Sequence, residues 1–375
     1  VLKFFATALC LFSASCFASS AKFVLEANPQ LGQMQLQKTS DLCYVAENTH
    51  KYLSDPQLSQ TDKQAIQAGK VFDKSITLDR VKQTLTFLCK VYREDVRANR
   101  QSRLHDSDFV KQHFDFYRWS PDKLKADSIA DNSSNEVKQR LLKQIPEEKL
   151  FITKYYTKRL QASTVKTAQH NQALYALPFD EQGMTKEQAL EKKNLLTRFK
   201  YTRQDIINGA LDKQNLAKPL VWLSEDALHD VLLQGTGVLD VDGKIRYFNV
   251  HRNNGISYDY ALGKTEQKRY WYFAEVPGIM GYGEKIEQKI AVRPHVTFAG
   301  NVNDLGLGKL IMISYPLNQQ QTSQLAILAD TGGAFDNNLF QLDLLVDSYF
   351  GWQDYHAANK HLPDYANAWI MLLKQ

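Results

Sequence analysis

Up to about Gln144, apolar residues recur at intervals of three and four. Leu42, Val45, Thr49 and Leu53 form one such series, and Leu78, Val81, Leu85, Leu88, Tyr92 and Val96 form another. That spacing puts each series on one face of a helix. Ser40 and Thr77 are N-cap candidates, since a side-chain oxygen there accepts from backbone N–H groups left free by the first turn. Nothing between Lys22 and Gln144 reads as a strand, and the polar stretch KADSIADNSSNE, Lys125 to Glu136, predicts a loop. After Leu150 the pattern changes to short runs of β-branched and aromatic residues: FITKYY, VLLQGTGVLDV, KIRYFNV, RYWYFAEV, VTFAGN, KLIMISY, QLAILAD and AWIMLLK. Many short strands separated by turn residues indicate barrels or sandwiches rather than a doubly wound sheet. In VLDVDGKIRYFNV, Asp242-Gly243 supplies the positive φ angles of a two-residue hairpin turn. Polar helical patches, TKEQALEKKNLLTRF and YTRQDIINGAL, lie between the strands, and no internal repeat is present.

The opening VLKFFATALCLFSASCFASSAKF combines a lysine, an apolar run from Leu2 to Phe12 and a small-residue end, which predicts a secretory signal peptide over residues 1–21. The apolar run is too short for a comfortable membrane span. Cys16 is a candidate for lipidation, although Ser13-Ala14-Ser15 lacks the leucine usual before a lipidated cysteine; membrane association is expected only through it. Signal removal leaves Cys43 and Cys89, one in each helical series. In an exported chain they predict a disulfide between two helices, the alternative being two buried thiols.

The composition narrows the chemistry. With 375 residues, 43% hydrophobic and 23% charged, the chain is long enough for two or three domains. Its net charge of +5 is spread along the sequence with no basic block, so nucleic acid is not expected as a partner. GxSxG, HExxH, CxxC and a phosphate loop ending in GK[ST] are all missing, and the GxG of DLGLGKL reads as a tight turn. The nine histidines are scattered, His356 and His361 have no shared helical face, and Asp240 and Asp242 lack the other ligands of a calcium loop. No metal or cofactor is therefore expected. Carboxylate chemistry remains, and LADTGGAFDNNLFQLDLL places Asp330 and Asp343 at the two ends of a largely uncharged segment. Asp330 reads either as a turn aspartate or as a chemical group; Asp343 has the apolar neighbours Leu342, Leu344, Leu345 and Val346.

Taken in order, several segments resemble the MltA-type membrane-bound lytic transglycosylases, which cut the glycan strands of peptidoglycan. LFITKYYTKRLQAS is similar to the family's TGYYEP segment, keeping Thr153, Tyr155 and Tyr156 but carrying Lys154, Thr157 and Lys158 in place of Gly, Glu and Pro. ALYALP follows. YTRQDIINGAL matches a tyrosine-threonine-arginine helix start, and LVWLSEDALHDVLLQGTG keeps Gln234, Gly235 and Gly237, with Thr236 for Ser. RNNGISYDY supplies Asn254, Gly255 and Tyr258 of an NG..Y motif, and LADTGGAFDNNLFQLD is similar to AxDxGGAI...(R or H)xD. Chain order and spacing agree over roughly residues 150–375, and HFDFYRW is similar to the segment leading to the family's first barrel strand.

The resemblance implies a mainly β fold: a double-psi β-barrel with a second β-barrel domain inserted into it, preceded by an α-helical N-terminal region. The implied boundaries are 22–147 for the helical region, 148–165 plus 286–375 for the catalytic barrel, and 166–285 for the insertion. It also implies an exported, periplasmic or outer-membrane-associated enzyme that acts on peptidoglycan glycan strands. Asp343 takes the place of the family's catalytic aspartate, and Asp330 that of the Asp-x-Gly-Gly turn. Thr153, Tyr155, Gln234, Gly235, Thr236, Asn254, Gly255 and Tyr258 become substrate-groove residues, and Trp271, Tyr272 and Trp352 are either sugar-stacking or core residues. Three departures touch this site. The interval from Asp330 to Asp343 is about two residues longer than usual, Gln341 replaces a basic residue or His, and Asn301 stands where a further aspartate is usual. A binding or wall-remodelling protein on the same scaffold is the rival expectation.

Overall fold

The computed structural model describes residues 21–58 and 65–375. Apart from Ala21, the expected signal segment, with Cys16, lies outside the described residues. Among the described residues no helix is long and apolar enough to cross a membrane.

Six strands close into a barrel. They are β4 (Leu150–Ala162), β10 (Thr297–Ala299), β11 (Leu310–Leu317), β12 (Gln320–Asp330), β13 (Gln341–Tyr349) and β14 (Tyr365–Leu373). The order runs β14–β11–β12–β10–β13–β4, and β4 pairs back onto β14. Two of the contacts, β10–β12 and β4–β13, are parallel; the rest are antiparallel. This mixed, closed sheet is what a double-psi barrel requires, and closure leaves no unpaired edge within the ring. Leu310–Ile313, Leu325–Ala329 and Leu344–Val346 are continuously buried, because one face looks into the barrel and the other is covered.

Part of that cover is helical, as expected. α1 (Thr39–Leu53) and α2 (Leu78–Arg97) pack on each other and against β11, β12 and β14. The disulfide Cys43–Cys89 joins them, with Cα atoms 4.8 Å apart. Thr77 caps α2 by accepting from the Arg80 N–H, but Ser40 lies inside α1 and caps nothing, because that helix starts one residue earlier. Two other expectations for this region are corrected. Strands β1 (Lys22–Glu26), β2 (Gln33–Met34) and β3 (Phe114–Ser120) occur where only helix was expected, and β3 pairs with β1 on one side and β14 on the other. HFDFYRW buries Phe114, Phe116, Tyr117 and Trp119 against the barrel, with the Trp119 indole donating to the Leu339 carbonyl at 3.1 Å. KADSIADNSSNE is mostly helix rather than loop. α3 (Lys123–Asp131) and α4 (Glu136–Lys143) are capped by Asp122 and Asn135, and Ala126, Ala130 and Leu142 form a small core with Phe151 and Phe340.

β4 is long enough to serve two sheets. Its first part pairs with β13, and Arg159–Ala162 pairs in parallel with β7 (Thr236–Val241). From there β7, β8 (Lys244–Asn253) and β9 (Trp271–Val276) form an antiparallel sheet, with the β7–β8 turn at Asp242-Gly243 in the expected positive-φ conformation. The antiparallel pair β5 (Gln172–Pro178) and β6 (Ala217–Leu223) and helix α5 (Glu225–Gln234) complete this inserted unit around its own core of Leu174, Val221, Leu223, Leu228, Phe248 and Phe273. The chain returns to the barrel through residues 277–296, so a cleft forms where the two units face each other.

Candidate active site

The two aspartates are brought together by β10. Ala299 is the register partner of Asp330 on β12 and of Asp343 on β13, so the carboxylates flank one short strand. Asp343 also lies opposite Thr153 on β4, and Tyr155, two residues on, shares that face. The Tyr155 hydroxyl donates to Asp330 Oδ2 at 2.8 Å and the Thr331 N–H donates to Asp330 Oδ1 at 2.8 Å. Asp330 therefore bonds the turn backbone through Oδ1 and the Tyr155 hydroxyl through Oδ2, and lines the cleft.

Asp343 is held differently. Its Oδ1 is enclosed with no hydrogen-bond partner among the described residues. Burial pushes its carboxyl up to about 7; the Thr153 hydroxyl opposes this, and the charge of Asp330 adds to it. Asp330 is pushed to about 6 by burial, against the Tyr155 hydroxyl, the Thr331 N–H and the ammonium of Lys289. Asp343 thus keeps its proton to higher pH, while the better-bonded Asp330 is the first to ionise. Desolvation of one carboxyl beside a stabilised one is how a site separates an acid from a base.

A cleft of about 560 Å³ between the two units opens onto Asp330 and is lined by Tyr155, Tyr156, Gln234, Gly235, Thr236, Asn249 and Lys289, among others. Asp343 is not in that lining; it lies beyond Asp330, beside Thr153. The Gln234 side chain accepts from the Lys158 N–H at 3.0 Å and joins the insertion to β4. Gly235 ends α5, its N–H donating to the Val231 carbonyl, and the Thr236 hydroxyl accepts from Asn249. The structure therefore gathers Asp330, Tyr155, Gln234, Gly235 and Thr236 around one opening, with Asp343 and Thr153 side by side on the strands next to it.

Three expected groove residues are elsewhere. Asn254, 2% exposed, is a pin for backbone: its amide donates to the Tyr201 and Lys268 carbonyls and its oxygen accepts from the Tyr270 N–H. Gly255 packs on Phe199, and Tyr258 sits against Tyr260 with the Arg269 guanidinium over its ring. None of them lines the cleft, because the loop after β8 folds back on the insertion. Tyr272 belongs to the core, whereas Trp352 is exposed and stacks on His356. Lys289 and Asn249 are cleft residues without a sequence motif. Among the described residues the one grouping of potential metal ligands, Cys43, Glu47 and Cys89, contains the disulfide, whose sulfurs are not thiolates.

Residues 151–270 match the model of the MltA specific insert domain, starting inside β4, the strand shared by both sheets. The fold as a whole is similar to Escherichia coli MltA with bound chitohexaose at 15% identity, covering 94% of this chain and 95% of that one with a TM-score of 0.52. It is also similar to MltA from Neisseria gonorrhoeae, at 12% identity, 94% and 92% coverage and a TM-score of 0.53. The chain is MltA-like in fold, and its inserted unit is similar to the MltA insert domain. A membrane-bound lytic murein transglycosylase from Agrobacterium tumefaciens shows the same likeness, at 15% identity, 92% and 97% coverage and a TM-score of 0.51. No curated protein matches the sequence. The MltA likeness therefore rests on architecture and on the inserted unit, and what the cleft does has to be argued from its own side chains.

Proposed function

We propose that the protein is an exported peptidoglycan lytic transglycosylase that cleaves the β-1,4 bond between N-acetylmuramic acid and N-acetylglucosamine and leaves a 1,6-anhydro sugar. The observation that carries this reading is the Asp330–Asp343 pair: one enclosed carboxyl poised to hold a proton near neutral pH, across one strand from a hydrogen-bonded carboxyl that lines a cleft of about 560 Å³. Asp343 protonates the glycosidic oxygen as the bond breaks and positive charge develops on the sugar ring. Now ionised, it takes the proton from the muramic 6-hydroxyl as that oxygen attacks the anomeric carbon. The substrate supplies its own nucleophile, so a second carboxylate is not needed to activate water or to form a covalent intermediate. Asp330 contributes a fixed negative charge that favours the proton on Asp343 and the cationic ring. Bound chitohexaose in E. coli MltA, and the murein substrate and membrane location in the name of the A. tumefaciens protein, fit an exported protein acting on an acetamido-bearing glycan.

The test is digestion of purified peptidoglycan with mass analysis of the released muropeptides. Wild type is expected to release anhydro products, and Asp343→Asn to release none. Products heavier by one water would make the enzyme a hydrolase. A second reading, a wall-binding protein without cleavage, is favoured by Asn301. Its side chain caps a short helix by accepting from the Asp304 N–H and donating to the Asp304 carboxylate, so no third carboxylate reaches the pair. Sacculus binding without any released product would establish that alternative.

A further inference from the structure

Residues 279–292, which return the chain from the insertion to the barrel, form a small hairpin set against the end of β12. The Gly281 N–H donates to the Ile290 carbonyl at 2.8 Å, Ile290 to Tyr282 at 2.9 Å and Val292 to Ile279 at 2.9 Å. Tyr282 donates across to the Ala329 carbonyl at 3.0 Å, one residue before Asp330. The approach is close enough that a Cβ on Gly281 would lie 2.6 Å from the Ala329 oxygen and 3.4 Å from the Asp330 Cβ. Gly283, at φ +139°, gives way to Lys289 in the same manner, since a Cβ there would meet the Lys289 Cα at 2.9 Å. Two glycines thus let the hairpin lie flat on β12 and bring Lys289 into the cleft alongside Asp330.

Lys289 is mostly enclosed, and its Nζ donates to Asn249 Oδ1 at 2.8 Å; Asn249 in turn donates to the Thr236 hydroxyl at 3.0 Å. A flexible lysine is in this way tied to the inserted sheet while its charge faces a carboxylate on the barrel. Burial lowers its own pKa and the Asp330 charge acts against that fall. We propose that Lys289 is a positioning residue: anchored through Asn249, it presents a fixed ammonium to Asp330, holds that carboxylate ionised, and so keeps in place the negative charge that favours the proton on Asp343. The proposal rests on the transglycosylase reading for its catalytic meaning, but the electrostatic linkage is a property of the free protein. The other titratable groups near Lys289 are Tyr155, Tyr156, Tyr282 and Glu284 on the cleft side, and Tyr44, Lys51, Tyr52, Asp55, Glu275 and Glu287 on its opposite side. Asp330 itself is faced by Tyr155 from β4 and lies across β10 from Asp343 on β13.

Two measurements test it. Carbon-13 NMR of the aspartate carboxyls against pH, assigned with Asp330→Asn and Asp343→Asn, reads the pair without substrate. In Lys289→Met the Asp330 midpoint is expected to rise by about one pH unit, a tenfold change in equilibrium, and Lys289→Arg is expected to restore most of it. With peptidoglycan, Lys289→Met is expected to lower kcat at pH 7 about twofold, as the ionised fraction of Asp330 falls from about nine-tenths to about one-half, to leave KM unchanged, and to move the alkaline limb of kcat upward. The limb rises because the doubly ionised pair has lost its cation, while kcat falls because Asp330 is then about half protonated at pH 7. Unchanged aspartate midpoints in Lys289→Met overturn the proposal, as does a KM effect with kcat intact, which would make Lys289 a substrate ligand. A wild type that yields no anhydro product while the midpoint still moves refutes the transglycosylase reading and leaves the linkage standing.

Discussion

Asp330→Asn separates the roles of the two carboxylates, and its effect follows from the barrel register. Asp330 and Asp343 are both register partners of Ala299, one on each side of β10. Neighbouring strands lie about 4.8 Å apart, so the two backbones are about 10 Å apart across β10. Two unit charges at about 10 Å, with the effective dielectric of about 20 that suits partly buried sites, interact by about 1.7 kcal/mol, or about 1.2 pH units. Asp330 is a cause of the raised Asp343 pKa of about 7. Removing its charge should therefore bring Asp343 to about 6 and lower the protonated fraction at pH 7 about eightfold.

The assay is the pH profile of anhydro-muropeptide release for wild type and Asp330→Asn. At pH 7 the variant should be about eightfold slower, below about pH 5 the two should agree within about twofold, and the alkaline limb should sit about one unit lower in the variant. A loss that is uniform at every pH would mean that Asp330 takes part in the chemistry directly. A limb that does not move would mean that the two carboxylates do not sense each other, and the assignment of acid and fixed charge would fall.

The same raised pKa makes a prediction about stability. The folded pKa of Asp343, about 7, lies above its ordinary value of 3.8, so the ionised form opposes folding, and the penalty grows between those two pH values. Asp343→Asn should therefore be more stable than wild type above pH 7, by about 2 kcal/mol after allowance for screening at a residue that keeps some exposure, and equal to it below about pH 4; urea unfolding at the two pH values reads this directly. Reducing Cys43–Cys89, or replacing both with Ser, reopens a loop with a sequence separation of 46 residues, for which chain entropy gives a loss of about 4 kcal/mol. Denaturant titration with and without reductant measures it, and the barrel end of the cleft, built without α1 or α2, should keep its activity wherever the protein remains folded.

How far the sequence revealed this arrangement depended on whether a residue's role is local. FITKYY and QLAILAD announce strands because a buried barrel wall needs β-branched and aromatic residues on both faces, and Asp242-Gly243 announces its turn because few other pairs tolerate it. HFDFYRW stayed hidden because seven residues of alternating burial sit between helices, and α3 and α4 because they bury only a few small or apolar side chains each. Asn254 reads as a groove residue when only its motif is visible; its position shows it satisfying the backbone at Tyr201, Lys268 and Tyr270. Lys289 carries no local signal at all. Its place depends on a hairpin pinned to Ala329, some 40 residues further along the chain, and on an amide from a different domain.

The interval between Asp330 and Asp343 illustrates the same point within the site itself. AFDNNLFQ is not slack chain: Asn338 is buried, its amide donates to the Ala334 carbonyl and to Gln341 Oε1, and its oxygen accepts from the Phe340 N–H. Gln341 is thereby oriented, and its Nε2 donates to the Thr153 hydroxyl at 2.8 Å, which lies opposite Asp343. Where the family resemblance implies a basic residue or histidine, this chain delivers a neutral amide through an ordered spacer. A cation at that point would favour the ionised form of Asp343; an amide engaged with Thr153 does not. Together with the enclosed Oδ1, the neutral amide leaves the ammonium of Lys154, itself paired with Asp364, as the cation that opposes the proton on Asp343, while Lys289 acts on Asp330.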